Sequence, residues 1–246
     1  MKPPKNLEDL KHRALKASTS GIPTPLKDPA RRALVAWIET ASQHEIPLKD
    51  ALRRLRDGEA AETVGRTALE PQLADPNGAA AQSACAVGCA FCCILNGSDG
   101  GTITKLEVER LHNALSPLAG EPDGRSWHPN GCPSLDPETQ MCRVYDARPM
   151  ICRTYISSDV SACESIAEGE AAEGAGVLGA QSLYLSVLQL SRSMLKGITR
   201  LPTYSLAKVA AGAVEGKALA ETLDVAQHAP RELDEEIARQ RAVIQR

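Results

Sequence analysis

The sequence predicts a mainly α fold: a helical protein with an irregular, cysteine-rich centre that binds metal. Three observations carry this expectation. Aromatic residues make up only 3% of the 246 residues, with Phe91 the single Phe, so the core has to be built mostly from Leu, Ala and Val. Such a core suits helices packed on helices better than a β-sandwich. Apolar residues recur at helical spacing on both sides of the middle of the chain. Residues 121–163, in contrast, are rich in Pro, Asp, Gly and Cys and hold no sustained period. A stretch this irregular rarely stays ordered without a staple, and a metal ion is the natural one.

Taken in order, residues 1–75 read as several helices. Asp28 before Pro29 has the form of an N-cap with proline at the first helical position. Leu34, Trp37, Ile38 and Ala41 then mark one face, until Pro47 restarts the chain. Leu48, Leu52 and Leu55 give the next helix, ending at Gly58. Residues 71–84, rich in Ala, Pro and Gly, read as a linker into a cysteine loop at 85–93, which is followed by a turn at Asn96–Gly101. Thr104 and Glu107 then form a capping box, with Ile103 placed to staple against Val108. Val108, Leu111, Leu115 and Leu118 form the buried face of that helix, and Gly120 with Pro122 ends it. After a Gly/Glu/Ala stretch at 168–180, a helix over about 180–196 is apolar around a wide arc, through Leu183, Tyr184, Val187, Leu188, Leu190, Met194 and Leu195. That breadth marks a central packing helix. Two more helices are expected near 203–223 and 230–245. The organisation that follows is a helical extension over 1–80, a cysteine-cluster metal-binding domain over 81–165, and C-terminal helices over 166–246 packing on the core.

Composition excludes several functions. Hydrophobic residues are 43% and charged residues 24% of the chain, ordinary for a globular protein. The net charge of −3 gives no electrostatic case for nucleic acid, and the basic run Arg53, Arg54 and Arg56 is bordered by Asp50 and Asp57 like a solvated helix face. No stretch approaches the 18 or so apolar residues of a membrane span, and the N-terminal residues lack the pattern of a secretory signal. The expectation is a cytoplasmic protein with no membrane or nucleic-acid partner.

The compartment decides how the eight cysteines are read. In a reducing cytosol, clustered cysteines point to metal or redox chemistry rather than to disulfides. Adjacent Cys92 and Cys93 strengthen this, because a ring closed between neighbours is strained and staples nothing. The first group is Cys85, Cys89, Cys92 and Cys93; the second is Cys132, Cys142 and Cys152 at ten-residue intervals, with Cys163 trailing. Short gaps let consecutive thiolates converge on one centre at about 2.3 Å, and the distant group closes the coordination sphere. All eight are candidate ligands. Four thiolates around Zn²⁺ or a [4Fe–4S]²⁺ core leave a charge near −2, and Arg143, Arg148 and Arg153 stand close enough in sequence to donate to sulfur and bind such a cofactor. His128 is a possible substitute ligand but reads better as a loop residue, and His112 as a surface or packing residue. Cys85, Cys89 and Cys92, with Phe91, also match the three-cysteine loop of radical SAM enzymes, but this chain has almost no strands for the barrel they need.

Around these residues the sequence resembles a known family. Gly131-Cys-Pro-Ser-Leu-Asp136, Cys142-Arg-Val-Tyr145 and Arg148-Pro-Met-Ile-Cys-Arg153 follow in order a first cluster ending in Cys-Cys, and together they resemble the CxxCxxCC, or YkgJ-type, cysteine-cluster proteins. The resemblance covers about residues 84–156. It implies an iron–sulfur cluster, of the [4Fe–4S] type, or zinc, with the molecular role undefined. This chain departs from the pattern in its first gap, which is three residues rather than two, setting Cys85 apart. Some relatives are lysine methylases, yet no methyl-donor motif here supports that activity, and no catalytic residue stands out. The roles left open are a structural zinc module for a protein partner, a cluster in a redox or metal-handling role with an electron-transfer partner, and a cluster-dependent enzyme akin to those methylases.

Overall fold

The short apolar stripes and the scarcity of β-branched alternation resolve into helices of modest length. The computed structural model describes residues 3–95, 100–170 and 172–244. Among them the helices are α1 (Leu7–Lys16), α2 (Lys27–Gln43), α3 (Leu48–Asp57), α4 (Glu59–Ala74), α5 (Lys105–Leu115), α6 (Gly124–Trp127), α7 (Met150–Thr154), α8 (Val160–Ala167), α9 (Gly179–Leu195), α10 (Leu206–Val214), α11 (Leu219–Ala226) and α12 (Glu232–Ile244). Two antiparallel strand pairs complete the set: β1 (Thr102–Ile103) with β4 (Tyr204–Ser205), and β2 (Tyr155–Ser157) with β3 (Ala175–Val177). The fold is mainly α, as the composition predicts. No helix among the described residues is long and apolar enough to cross a membrane.

The chain divides into two compact units, each assembled from separated segments. One comprises Met1–Glu70, Gly179–Pro202 and Ala229–Arg246; the other comprises Pro71–Leu178 and Thr203–His228.

In the first unit α9 is the packing centre, with α1, α2, α3 and α12 laid against it. Tyr184, Leu185, Val187, Leu188, Leu190, Met194 and Leu195 are all buried, so the wide apolar arc is covered on several sides. The carbonyl end of α9 is closed by Arg13, itself buried, whose Nε and Nη2 donate to the Met194 oxygen at 3.0 and 2.7 Å and whose Nη2 also reaches the Lys196 oxygen at 2.8 Å. A cation there satisfies orphan carbonyls and opposes the helix dipole.

Two boundaries differ from expectation. Helix α2 starts at Lys27, continuing a 3-10 turn over Thr24–Leu26, so Asp28 and Pro29 sit inside its first turn and Asp28 is not the cap. Proline is tolerated there because first-turn N–H groups have no helical partner to lose. The linker expected from residue 71 begins later, since α4 runs through Pro71 to Ala74. Pro71 falls in the last turn, where it removes one terminal hydrogen bond rather than breaking the helix middle.

In the second unit α5 packs against α10 and α11. Ile103, Val108, Leu111, Leu115, Val209, Ala210 and Ala213 share one apolar cluster with Cys132 and Leu135. The capping box of α5 is present in both directions: the Thr104 side chain accepts from Glu107 N, and the Glu107 Oε2 accepts from Thr104 N at 2.8 Å. His112 is buried, with Nε2 2.9 Å from the Lys217 oxygen, and holds α5 to the turn after α10. The single helix expected over 203–223 is instead β4, α10 and α11. Gly216, at φ +75°, turns the chain between the two helices, a conformation that costs a residue with a side chain 1–2 kcal/mol or so. The last expected helix is α12. Within the 168–180 stretch the structure forms β3, and residue 171 lies outside the described residues, as do residues 96–99 of the expected Asn96–Gly101 turn.

Candidate metal centre

Backbone pairing brings distant cysteines together. The first cysteine loop ends in a 3-10 turn over Phe91–Cys93, closed by Cys93 N donating to the Ala90 oxygen at 2.9 Å. From there the chain zips against residues 130–132: Leu95 N donates to the Asn130 oxygen, Ile94 pairs antiparallel with Gly131, and Cys132 N donates to the Cys93 oxygen, at 2.8 Å for both hydrogen bonds. A tight hairpin then returns Cys142 to the same place. Leu135 pairs with Cys142, Arg143 N donates to the Ser134 oxygen at 2.9 Å, and the Asp136 carboxylate accepts from Thr139 N at 2.7 Å and Glu138 N at 3.1 Å across the turn. The Gln140 amide, oriented by its partners, donates to the Gly88 oxygen at 3.1 Å and accepts from Trp127 Nε1 at 3.0 Å, which ties the hairpin to the first loop.

Helix α7 delivers Cys152, and its start is fixed by α5. Met150 N donates at 2.8 Å to Glu107 Oε1, the carboxylate oxygen opposite the one that caps α5. One buried side chain thus terminates two helices. Two glycines permit the crossing beneath. A methyl carbon on Gly124 would stand 2.2 Å from the Cys132 oxygen, and one on Gly131 would stand 2.2 Å from the Gly124 oxygen. Only bare backbone fits on either side.

All eight cysteines lie in this second unit and all are free thiols. Buried Cys132 and half-buried Cys93, Cys142 and Cys152 pack into its apolar cluster. Burial pushes the thiols of Cys132 and Cys142 up, and that of Cys152 well up, while neighbouring sulfurs add to each shift. Cys93 is raised first through its hydrogen bond with Cys92 and then by burial. Exposed Cys92 moves the other way, to about 7, because Cys93 hydrogen-bonds its thiolate, with Arg148 contributing a favourable charge.

Cys163 is buried on α8, which packs against the 3-10 turn of Cys92 and Cys93. Its thiol is raised by burial, and the sulfurs acting on it are those of Cys85, Cys89 and Cys92. Half-buried Tyr155 is pushed to about 12 by burial, with the nearby charges of Cys163, Cys92 and Cys85 adding to the shift.

Among the described residues, no three His, Cys, Asp or Glu side chains are already gathered around a point that could hold a metal ion. The donor set nevertheless fits a thiophilic group. Five sulfurs from three chain segments act on one another, and four of them belong to the apolar cluster. A change of cysteine rotamer moves a sulfur by about 3 Å, which is the scale of adjustment needed to turn neighbours into ligands. Protons occupy these buried thiols in the absence of a cation, so a metal has to displace them.

The three arginines expected near sulfur divide. Arg148 acts on Cys92, Cys142 and Cys152, and lies over the Tyr145 ring at 3.4 Å from its centroid. Arg143 acts on Cys142 while pairing with Glu121 at 3.3 Å and donating to the Pro133 oxygen at 3.1 Å; its Nε is buried without a hydrogen-bond partner. Arg153 donates to the backbone oxygens of Arg148, at 2.7 Å, and Asp146, which braces the loop before α7. The His128 Nδ1 accepts from Asn130 N at 3.1 Å, the arrangement of a loop histidine.

Residues 84–172 match the CxxCxxCC family model. That family is described as a "Putative zinc- or iron-chelating domain". No curated protein and no solved structure matches the chain. The CxxCxxCC segment takes in all eight cysteines, Cys163 included, and an all-sulfur donor set agrees with its description. Sequence reasoning did not single out Glu107 as a support for α7, nor Gly124, Tyr155 or Ser157. Only the spacing Thr104-x-x-Glu107 hinted at the first, and nothing in the local pattern pointed to the others.

Proposed function

We propose that this chain carries an iron–sulfur cluster on the thiolates of its CxxCxxCC domain, with Cys93, Cys132, Cys142 and Cys152 as the innermost ligands and Cys92 beside them. The observation that carries this reading is the convergence of four cysteines from three separate segments in one apolar cluster. When bound, such a cluster supplies one-electron transfer. The chain's own residues do the rest. The apolar walls formed by Leu135, Val144 and Ile151 limit water around the sulfurs. Arg148 and Arg143 offset the negative charge that four thiolates bring. Exposed Cys92 and the stacked pair Arg148–Tyr145 leave one side open to an electron-transfer partner. Free thiols of this kind persist in a reducing compartment, which supports a cytoplasmic location.

Zinc is the second reading, favoured by the burial of Cys132 and the apolar packing around all four sulfurs, since a closed four-thiolate site suits structural zinc. The domain would then be a structural module that presents its surface to a protein partner. Iron, sulfide and zinc counted per chain after anaerobic purification, with a visible spectrum, separate the two. Equal iron and sulfide with broad absorption support the cluster; zinc in a colourless sample supports the module; neither metal overturns the proposal.

A further inference from the structure

The eight thiols fall into two sets of four, and we infer that the domain holds two metal centres rather than one. This deepens the reading above and rests on it. The inner set is Cys93, Cys132, Cys142 and Cys152, packed in the apolar cluster with α5 and α10. The outer set is Cys85, Cys89, Cys92 and Cys163. Its members are spread over a loop, a 3-10 turn and a helix, and α8, which carries Cys163, packs on the turn that carries Cys92.

Backbone contacts bring together the segments that carry the outer set. Ala84 N and Ser83 Oγ both donate to the Ser157 oxygen, at 2.7 and 3.2 Å, so the chain entering Cys85 is strapped to the end of β2. The Ser157 hydroxyl donates to the Asp159 oxygen at 2.6 Å, and Asp159 caps α8, which fixes that helix to the same strap. Helix α8 in turn lies on the Phe91–Cys93 turn. A spare thiol would need none of this. Tetrahedral zinc and a cubane cluster each take about four thiolates, so the inner set already completes one centre and leaves four sulfurs over. Cys92 joins the two sets, since it neighbours Cys93 in the turn that α8 covers.

Metal counting on the full-length chain tests this, after anaerobic reconstitution with iron and sulfide or, in a separate sample, with zinc. The unaltered chain is expected to hold about two centres, and Cys85→Ser and Cys163→Ser each to lower the metal about two-fold, with the pair together no lower. Cys142→Ser is expected to remove the other half, and combining it with Cys85→Ser to remove nearly all. Cys85 is exposed, so its variant keeps the test valid if Cys163→Ser disturbs packing; circular dichroism checks the helices of both. A full metal count in Cys85→Ser and Cys163→Ser overturns the second centre and leaves the first standing. Complete loss in every single variant shows one shared centre and likewise overturns the inference. An unaltered chain that binds no metal overturns the proposed function as well.

Discussion

Arg148 is the cation that acts on Cys92, Cys142 and Cys152, and it lies over an aromatic ring. Stacking over Tyr145 leaves its charge unneutralised. Replacing it with Ala should raise the Cys92 thiol from about 7 while leaving the larger effect, the hydrogen bond from Cys93, in place. The measurement is the pH profile of Cys92 alkylation in metal-free protein, followed by peptide mass spectrometry; an unmoved profile would remove Arg148 from the site. Gly131 acts by what it lacks. A methyl group there has to push the Gly124 carbonyl aside, a backbone atom with nowhere to go. Gly131→Ala should cost about 1–3 kcal/mol of unfolding free energy and lower the metal count. Thermal melts with parallel metal analysis would show both effects, and a stable, fully loaded variant would mean that the crossing can widen.

At the scale of elements, the decisive joints are helix ends. Glu107 caps α5 with one oxygen and starts α7 with the other, so Glu107→Ala orphans two buried N–H groups, those of Thr104 and Met150. A loss of about 1–3 kcal/mol is expected from that desolvation alone. Urea unfolding would measure it, and a loss of metal in step would show that Cys152 depends on the joint. Asp123 caps α6 and carries a bidentate contact from Arg125. Burial pushes its carboxyl up, but the hydrogen bonds and charge of Arg125 outweigh this and hold it below its usual range. A group lowered in the folded state stabilises above its unfolded pKa, and that contribution is lost as pH falls through the lowered value. Stability should therefore decline with acid below about pH 4, and Asp123→Asn should flatten the decline in melts across that range. The elements differ in how legible they were. The Thr104–Glu107 box and the apolar arc of α9 are local signals, readable within a few turns. The break between α10 and α11 was hidden because Ala and Val continue across Glu215–Gly216 without losing helical period. The approach of Cys85 to Cys163 was hidden altogether, since it depends on Ser157 accepting from a residue far along the chain.

For the molecule as a whole, metal should matter unequally. Residues 121–163 have short elements and hydrogen bonds to one another, while α9 is buried along its length. Removing metal with a chelator under reducing conditions should expose cleavage sites in 121–163, with Gly179–Leu195 still protected. Limited proteolysis read by mass spectrometry would decide this, and equal protection before and after chelation would show that no metal orders the segment. The assembly of each unit from separated segments has a further consequence, one of timing. During synthesis α1, α2 and α3 leave the ribosome well before α9 exists to cover Leu10, Leu34, Ile38 and Leu55. In the same way, every cysteine is translated before α10 and α11 arrive to close the far side of α5. The nascent chain therefore passes through an interval in which the apolar faces of α1, α2 and α3 await their cover and all eight thiols have already been made.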